Sequence, residues 1–208
     1  MIGQKGYPPV HGGIEKHVAE LAARLPDLGC EVDIYSRPHY SDVEGPADLP
    51  GVRVIRLPSI PTKHLDAISH TVVSTGHALF RDADVVHYHA LGPGLLSGFP
   101  RWFNRQASVV TVHGLDWQRD KWGGFARGVL RLGESASVTM PDATIVVSKA
   151  LREHYLEQHR KATHYIPNGI VAPVYREPDL VRSAGIAGKF VLFVGRLVPE
   201  KGCHLLLE

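Results

Sequence analysis

Short apolar runs alternate with helix-period segments along most of this chain, and that alternation restricts its fold more than any other feature. Ile14, Val18, Leu21, Ala22 and Leu25 recur at helical spacing, in a segment that closes near Pro26 and Gly29. Val32-Asp33-Ile34-Tyr35 and Val52-Arg53-Val54-Ile55-Arg56-Leu57 read as strands, separated by a Pro- and Asp-rich stretch. Leu65, Ile68, Val72 and Leu79 then mark a helix, Asp84 to His89 a strand, and Gly92 to Phe103 a further helix. Ser108-Val109-Val110-Thr111-Val112 is apolar or β-branched throughout, as a strand covered on both faces should be. Phe125, Val129, Leu132 and Ala136 share a helix face, followed by a strand at Asp142 to Val147, a helix at Lys149 to Gln158 and a short strand at His164-Tyr165-Ile166. Such regular alternation implies parallel β-α-β units wound into an α/β, doubly wound sheet. Ligands of these sheets bind beyond the carboxyl ends of the strands, so chemistry is to be sought in the loops that follow them.

The ends of the chain depart from this regularity. Met1-Ile2-Gly3 leaves little of a first strand before the loop Gln4 to His11, so a central strand of the sheet is expected to be missing. Lys189 to Val194 reads as a new buried strand and Cys203 to Glu208 as the opening of a helix. Between Pro167 and Pro178 lies a linker containing Pro, Gly and Asn. The expected organisation is a domain over residues 1–170, a linker over 171–187, and the start of a second domain over 188–208. At 208 residues the chain has room for this arrangement.

Composition removes several function classes. A formal net charge of +2 is too small to argue for a nucleic-acid partner. Two cysteines far apart, Cys30 and Cys203, do not make a disulfide framework and fit a reducing, cytosolic compartment. No apolar run approaches the roughly 20 residues that span a bilayer, which leaves only peripheral membrane contact open. The 13 histidines are a surplus but are scattered; only His87 and His89 are close, on the same face of a strand, and two ligands do not make a metal site. No bound metal is expected.

Four motifs fall where the fold predicts chemistry. Gly12-Gly13-Ile14-Glu15 opens a helix, where glycines admit close approach of a ligand and free N–H groups favour phosphate; the same glycines would also serve a plain turn. His113-Gly114-Leu115-Asp116-Trp117 follows a buried strand, placing a histidine at the cleft or, more simply, at a strand cap. Pro167-Asn168-Gly169 is first a turn former. Gly195-Arg196 and Lys201-Gly202 set two cations around a loop that leads into a helix, which suits a diphosphate and equally suits a solvated turn.

The order and spacing of these motifs resemble the retaining glycosyltransferases of family 4, with the GT-B fold. The likeness runs from Gly3-Gln4-Lys5-Gly6-Tyr7-Pro8 and Gly12-Gly13-Ile14-Glu15, through His113 to Trp117 with Lys121-Trp122 and Ile166-Pro167-Asn168-Gly169, to Val194-Gly195-Arg196-Leu197-Val198-Pro199-Glu200-Lys201-Gly202. The opening loop and the Trp117 to Trp122 region look closest to bacterial rhamnosyl-type transferases of surface polysaccharide assembly. The resemblance implies two Rossmann-like domains facing across a cleft, acceptor on the first and nucleotide-sugar donor mainly on the second. It implies that Gly12 and Gly13 approach the donor diphosphate, that Arg196 and Lys201 neutralise it, and that His113 meets the transferred sugar as the catalytic residue. Glu15, Asp116 and Asn168 are the further acceptor or sugar contacts. The donor would be a UDP-, GDP- or dTDP-sugar, the acceptor a glycan or lipid-linked sugar, transfer would retain configuration, and no cofactor is required.

The chain ends before the pair of glutamates, with seven residues between them, that the family carries in its second domain. By itself it is therefore expected to show little transfer. A non-catalytic acceptor-binding module, or one subunit of a split transferase, is the competing reading. A GT-B sugar-nucleotide epimerase is a third.

Overall fold

The computed structural model describes residues 1–10, 12–40, 49–62, 65–119, 122–170, 172, 174, 179–183, 185–186, 188–195, 197–198 and 201–207. They form two compact units, Met1–Gly169 and Ile170–Glu208.

The first unit is α/β. Its elements are α1 (Gly13–Ala22), β1 (Val32–Ser36), β2 (Val52–Arg56), α2 (Leu65–Leu79), β3 (Val85–His89), α3 (Leu91–Gly94), α4 (Phe99–Asn104), β4 (Ala107–Val112), α5 (Gly124–Thr139), β5 (Ala143–Val146), α6 (Lys149–His159) and β6 (His164–Tyr165). β1 pairs with β2, and β3, β4, β5 and β6 pair in that order, all parallel. The expected loss of a central strand is corrected by what residues 1 and 2 do. The Ile2 amide donates to the His87 carbonyl at 2.8 Å and its carbonyl accepts from the His89 amide at 2.8 Å. On the other side, the Tyr35 amide donates to the Met1 carbonyl at 3.1 Å and the Met1 ammonium to the Asp33 carbonyl at 2.6 Å. Two residues are thus enough to occupy the gap between β1 and β3, because each supplies the backbone groups that strand edges would otherwise leave unpaired.

Two apolar clusters hold the layers together. Val86, Tyr88, Val110, Val112 and Val146 meet Leu151 and Tyr155 of α6, while Val18 and Ala22 of α1 cover Val32, Ile34 and Val52. The buried hydroxyls of Tyr88 and Tyr155 are paired: Tyr88 Oη lies 3.2 Å from Thr75 Oγ1 and Tyr155 Oη 2.9 Å from Ser137 Oγ. α6 starts on a side-chain cap, the Ser148 hydroxyl accepting from the Leu151 amide at 3.2 Å. Ser148→Ala should lower stability by about 1 kcal/mol in urea unfolding, since it strands an amide at the helix start; Ser148→Asp should restore it.

Three local expectations need correction. The helix expected from Gly92 to Phe103 is two short ones, α3 and α4, because Pro100 suits the first turn of a new helix rather than the middle of an old one. On α5, Phe125 and Leu132 face outward at 89% and 66% exposure, while Gly133, Glu134, Ala136 and Ser137 are buried. The helix turns its small residues inward because α3 lies against it: a Cβ on Gly133 would collide with the Leu91 carbonyl oxygen. Finally, residues 189–194 form no strand, and Val191 and Val194 are 78% and 83% exposed. A strand draws its stability from neighbours on the ladder, and none pairs with this segment among the described residues.

The second unit contains α7 (Asp179–Ser183), within the span expected to be linker, and α8 (Cys203–Leu207). Among the described residues no helix is long and apolar enough to cross a membrane.

Candidate active site

The site grows from strand periodicity. Side chains two apart on a strand share a face, and in the parallel register His89 stands opposite Thr111. His87, His89, Thr111 and His113 therefore converge at the carboxyl ends of β3 and β4. His87 Nε2 lies 2.7 Å from Thr111 Oγ1, and the His87 and His89 rings stack with centroids 4.3 Å apart. His89 Nδ1 is 3.2 Å from His113 Nε2.

α1 completes the cluster. Its first residue, Gly13, lies one turn before His17, whose ring meets His113 edge-on at 5.0 Å and His89 at 5.7 Å. Gly12 precedes the helix with φ 96°, a conformation open to glycine at little cost, and a Cβ there would come within 2.5 Å of Glu15 Oε2. Glu15 is buried and turned back to the opening loop, where its Oε1 accepts from the Lys5 amide at 3.2 Å. The start of α1 thus stands beside His113, held there by Glu15. Gly3, at φ 120°, lets the opening segment pass so close that a Cβ would strike the His89 carbonyl oxygen, and Ala90 follows at φ 77°. A non-glycine residue in that region stores backbone strain next to the cluster.

Burial keeps the imidazoles neutral. It pulls His113 down to about 4 and His87 to about 3, with neighbouring histidines adding repulsion, and it holds His89 well below the ordinary value. His17 is lowered by burial too, against an opposing hydrogen bond with the Asn168 side chain. At neutral pH His113 is therefore an uncharged donor and acceptor, suited to a hydroxyl rather than to an anion.

Glu134 supports the loop after His113 from below. This carboxylate, 5% exposed, accepts from Trp117 Nε1 at 2.5 Å and lies 2.7 Å from His154 Nε2 and 2.8 Å from His159 Nε2. The Arg131 guanidinium lies over the Trp117 ring at 4.7 Å. Asp116 begins a 3₁₀ turn and pairs with Arg119 at 3.3 Å.

The residues expected at the site fall into three groups. His113 and Asn168 both meet His17, Asn168 from the far end of the unit, while Gly12, Gly13 and Glu15 lie at the start of the helix that carries it. Asp116 is engaged with Arg119 in the next loop. Lys201 lies exposed in the second unit, and Arg196 lies outside the described residues. Sequence reading missed His17, Glu134, His154 and His159. His17 carried a usable signal, being four residues from Gly13 on one helix face; the other three are drawn together only by the packing of α5 on α6. The surface hollows along Pro26 to Glu31 and Leu49 to Arg53 lie at the amino ends of β1 and β2, away from the histidines.

Comparison with known proteins bears on the family and the fold. The family model described as a glycosyl transferase 4-like domain matches residues 12–169, the whole segment that carries the cluster. The chain belongs to this family. Among its relatives, an alpha-maltose-1-phosphate synthase of Mycolicibacterium smegmatis is 30% identical over 96% of this chain and 54% of its own length. A D-inositol 3-phosphate glycosyltransferase of Thermobispora bispora is 28% identical over 95% of this chain and 51% of its own length. The chain therefore spans about half the length of these family 4 relatives. A solved sucrose-phosphate synthase from Thermosynechococcus elongatus superposes with a TM-score of 0.65, covering 85% of this chain and 48% of that one at 21% identity, which establishes the shared fold.

Proposed function

We propose that this glycosyl transferase 4-like chain is the acceptor-side part of a glycosyltransferase, moving a sugar from a UDP-, GDP- or dTDP-linked donor to a glycan or lipid-linked acceptor with retention. The observation that carries the reading is the neutral His113 at the carboxyl end of β4, beside the glycine-led start of α1. A neutral imidazole hydrogen-bonds a hydroxyl of the transferred sugar, and the free amides at the start of α1 favour the donor diphosphate. Arg196 and Lys201 supply the cations that offset the charge developing on the leaving diphosphate. Glu15 fixes the loop that presents Gly12 and Gly13, and Asn168 sets the His17 ring; both are then positioned for the acceptor or sugar. The names of the relatives above lend no support to rhamnose as the donor sugar.

The reaction takes place in the cytoplasm, and the exposed end of α4 is a candidate for contact with the inner membrane face. Trp102 and Phe103 are 61% and 70% exposed beside Arg101 and Arg105, with Phe80 close by because Asn104 Nδ2 donates to the Leu79 carbonyl at 2.9 Å. Aromatic rings flanked by arginines suit an anionic headgroup layer.

A screen of UDP-, GDP- and dTDP-sugars for hydrolysis and transfer tests the reading, run on this chain and on the full open reading frame that carries it. Transfer is expected from one donor, chiefly in the longer protein, and His113→Ala should lower kcat about 10²- to 10³-fold. Absence of transfer in both, with acceptor glycan still bound, would replace the transferase reading with that of a binding module.

A further inference from the structure

We propose that His17, His89 and His113 form a binding site for one divalent transition-metal ion of the zinc class, held by three imidazoles with a fourth position open. One nitrogen from each ring lies within 4.8 Å of the other two. The His89 Nδ1 to His113 Nε2 separation of 3.2 Å is close to the edge of a tetrahedron built on zinc–nitrogen bonds, about 3.3–3.4 Å. Only the half-buried His17 has to swing inward.

The second cluster of possible ligands among the described residues, Glu134 with His154 and His159, has a different character. There one carboxylate oxygen already bonds both imidazoles at 2.7 and 2.8 Å, too short for an ion to stand between them, and the other oxygen bonds Trp117. That cluster is closed by its own hydrogen bonds. The His17 cluster is joined by the longer His89 Nδ1 to His113 Nε2 contact of 3.2 Å, and the wholly buried His89 keeps a second nitrogen, Nε2, that meets no hydrogen-bond partner. A buried polar atom left in that condition is uncommon and costly.

The surroundings suit a metal as well. His17 is oriented by Asn168, the kind of outer bond that aims a ligand and fixes its tautomer. An ion bound here engages the His113 ring that the transfer reaction needs for the sugar. Zinc is therefore inhibitory, a consequence that rests on the proposed function, whereas binding itself does not.

The test is titration of the metal-free chain with Zn²⁺ by calorimetry and with Co²⁺ by visible absorption at neutral pH. One equivalent should bind, giving the intense bands of tetrahedral cobalt. His17→Gln should weaken affinity at least tenfold, while His154→Gln and His159→Gln leave it unchanged. X-ray absorption on the unaltered zinc-loaded chain, which does not depend on any variant folding, should count three imidazoles. No stoichiometric uptake, uptake indifferent to His17→Gln, or loss in the His154 and His159 variants would overturn the site. Sugar transfer assayed in chelator is independent of these readouts, so the metal site and the transferase reading fail separately.

Discussion

Glu134→Ala should lower the stability of the unit spanning residues 1–169 by about 3–5 kcal/mol, an effect large enough to bring its Tm down by roughly 10 °C. The carboxylate is buried and receives three hydrogen bonds, from Trp117 and from two histidines of α6. Its substitution leaves a half-buried indole N–H without an acceptor and two ring nitrogens without their common partner. Each stranded group costs its own desolvation, about 1–3 kcal/mol, and these add to the cavity left by the missing side chain. Hydrogen bonds from the two histidines and the indole hold the Glu134 carboxyl below its ordinary range even though burial pushes it up. Glu134→Gln keeps one acceptor oxygen at nearly the same volume and should recover more than half of the loss. Urea unfolding followed by tryptophan fluorescence measures both variants. Equal stability of Glu134→Ala and the parent chain would mean that the three bonds are replaced by water at no net cost.

Acid should unfold this protein unusually early. Burial holds His70 at about 4, His87 at about 3 and His113 at about 4 in the folded chain, against an ordinary value of about 6.5. As pH falls below 6.5 the unfolded chain takes up protons that the folded chain refuses. The unfolded state then binds more protons, so stability rises with pH in this window and is lost on acidification. Each such histidine removes at most ~1.4 kcal/mol per pH unit between 6.5 and its folded value. Three of them together account for on the order of 5 kcal/mol by pH 5, a large part of the ~5–15 kcal/mol of an ordinary domain. The lowered carboxyls of Asp66 and Glu134 act further down: their stabilisation is present above the unfolded carboxyl range and fades only as pH falls through it. Urea unfolding at half-unit steps from pH 7.5 to 4.5 should show a slope that begins near 6.5. A flat profile down to pH 5 would show that the histidines titrate freely in the folded state.

These two expectations draw on different kinds of information. The sheet was legible in the sequence because a strand buried on both faces needs a run such as Val109-Val110-Thr111-Val112, and helices in β-α-β units need an apolar stripe such as Ile14, Val18, Leu21 and Ala22. Those requirements are local, and the composition meets them whatever the rest of the chain does. The same local logic placed His113 and the start of α1 at the strand ends, where a doubly wound sheet puts its ligands.

Elsewhere local pattern misled. On α5 the apolar residues Phe125 and Leu132 look outward, because the inner face is chosen by how closely α3 approaches and not by hydrophobicity alone. At 189–194 an apolar run that pattern reads as a strand stays unpaired and exposed. A strand needs a neighbour as well as a composition.

The sequence by itself determined the class of fold, the strand-end position of His113 and the glycine-led opening of α1, since each follows from periodicity or backbone freedom over a few residues. Only the tertiary structure decided that His17, His87, His89 and His113 form one neutral cluster, that Asn168 reaches back to His17, and that Glu134 ties α5 and α6 to Trp117. Apart from His87 and His89, those partners lie 17 or more residues apart, and pairings at that distance are fixed by strand register and helix packing, which no local pattern encodes.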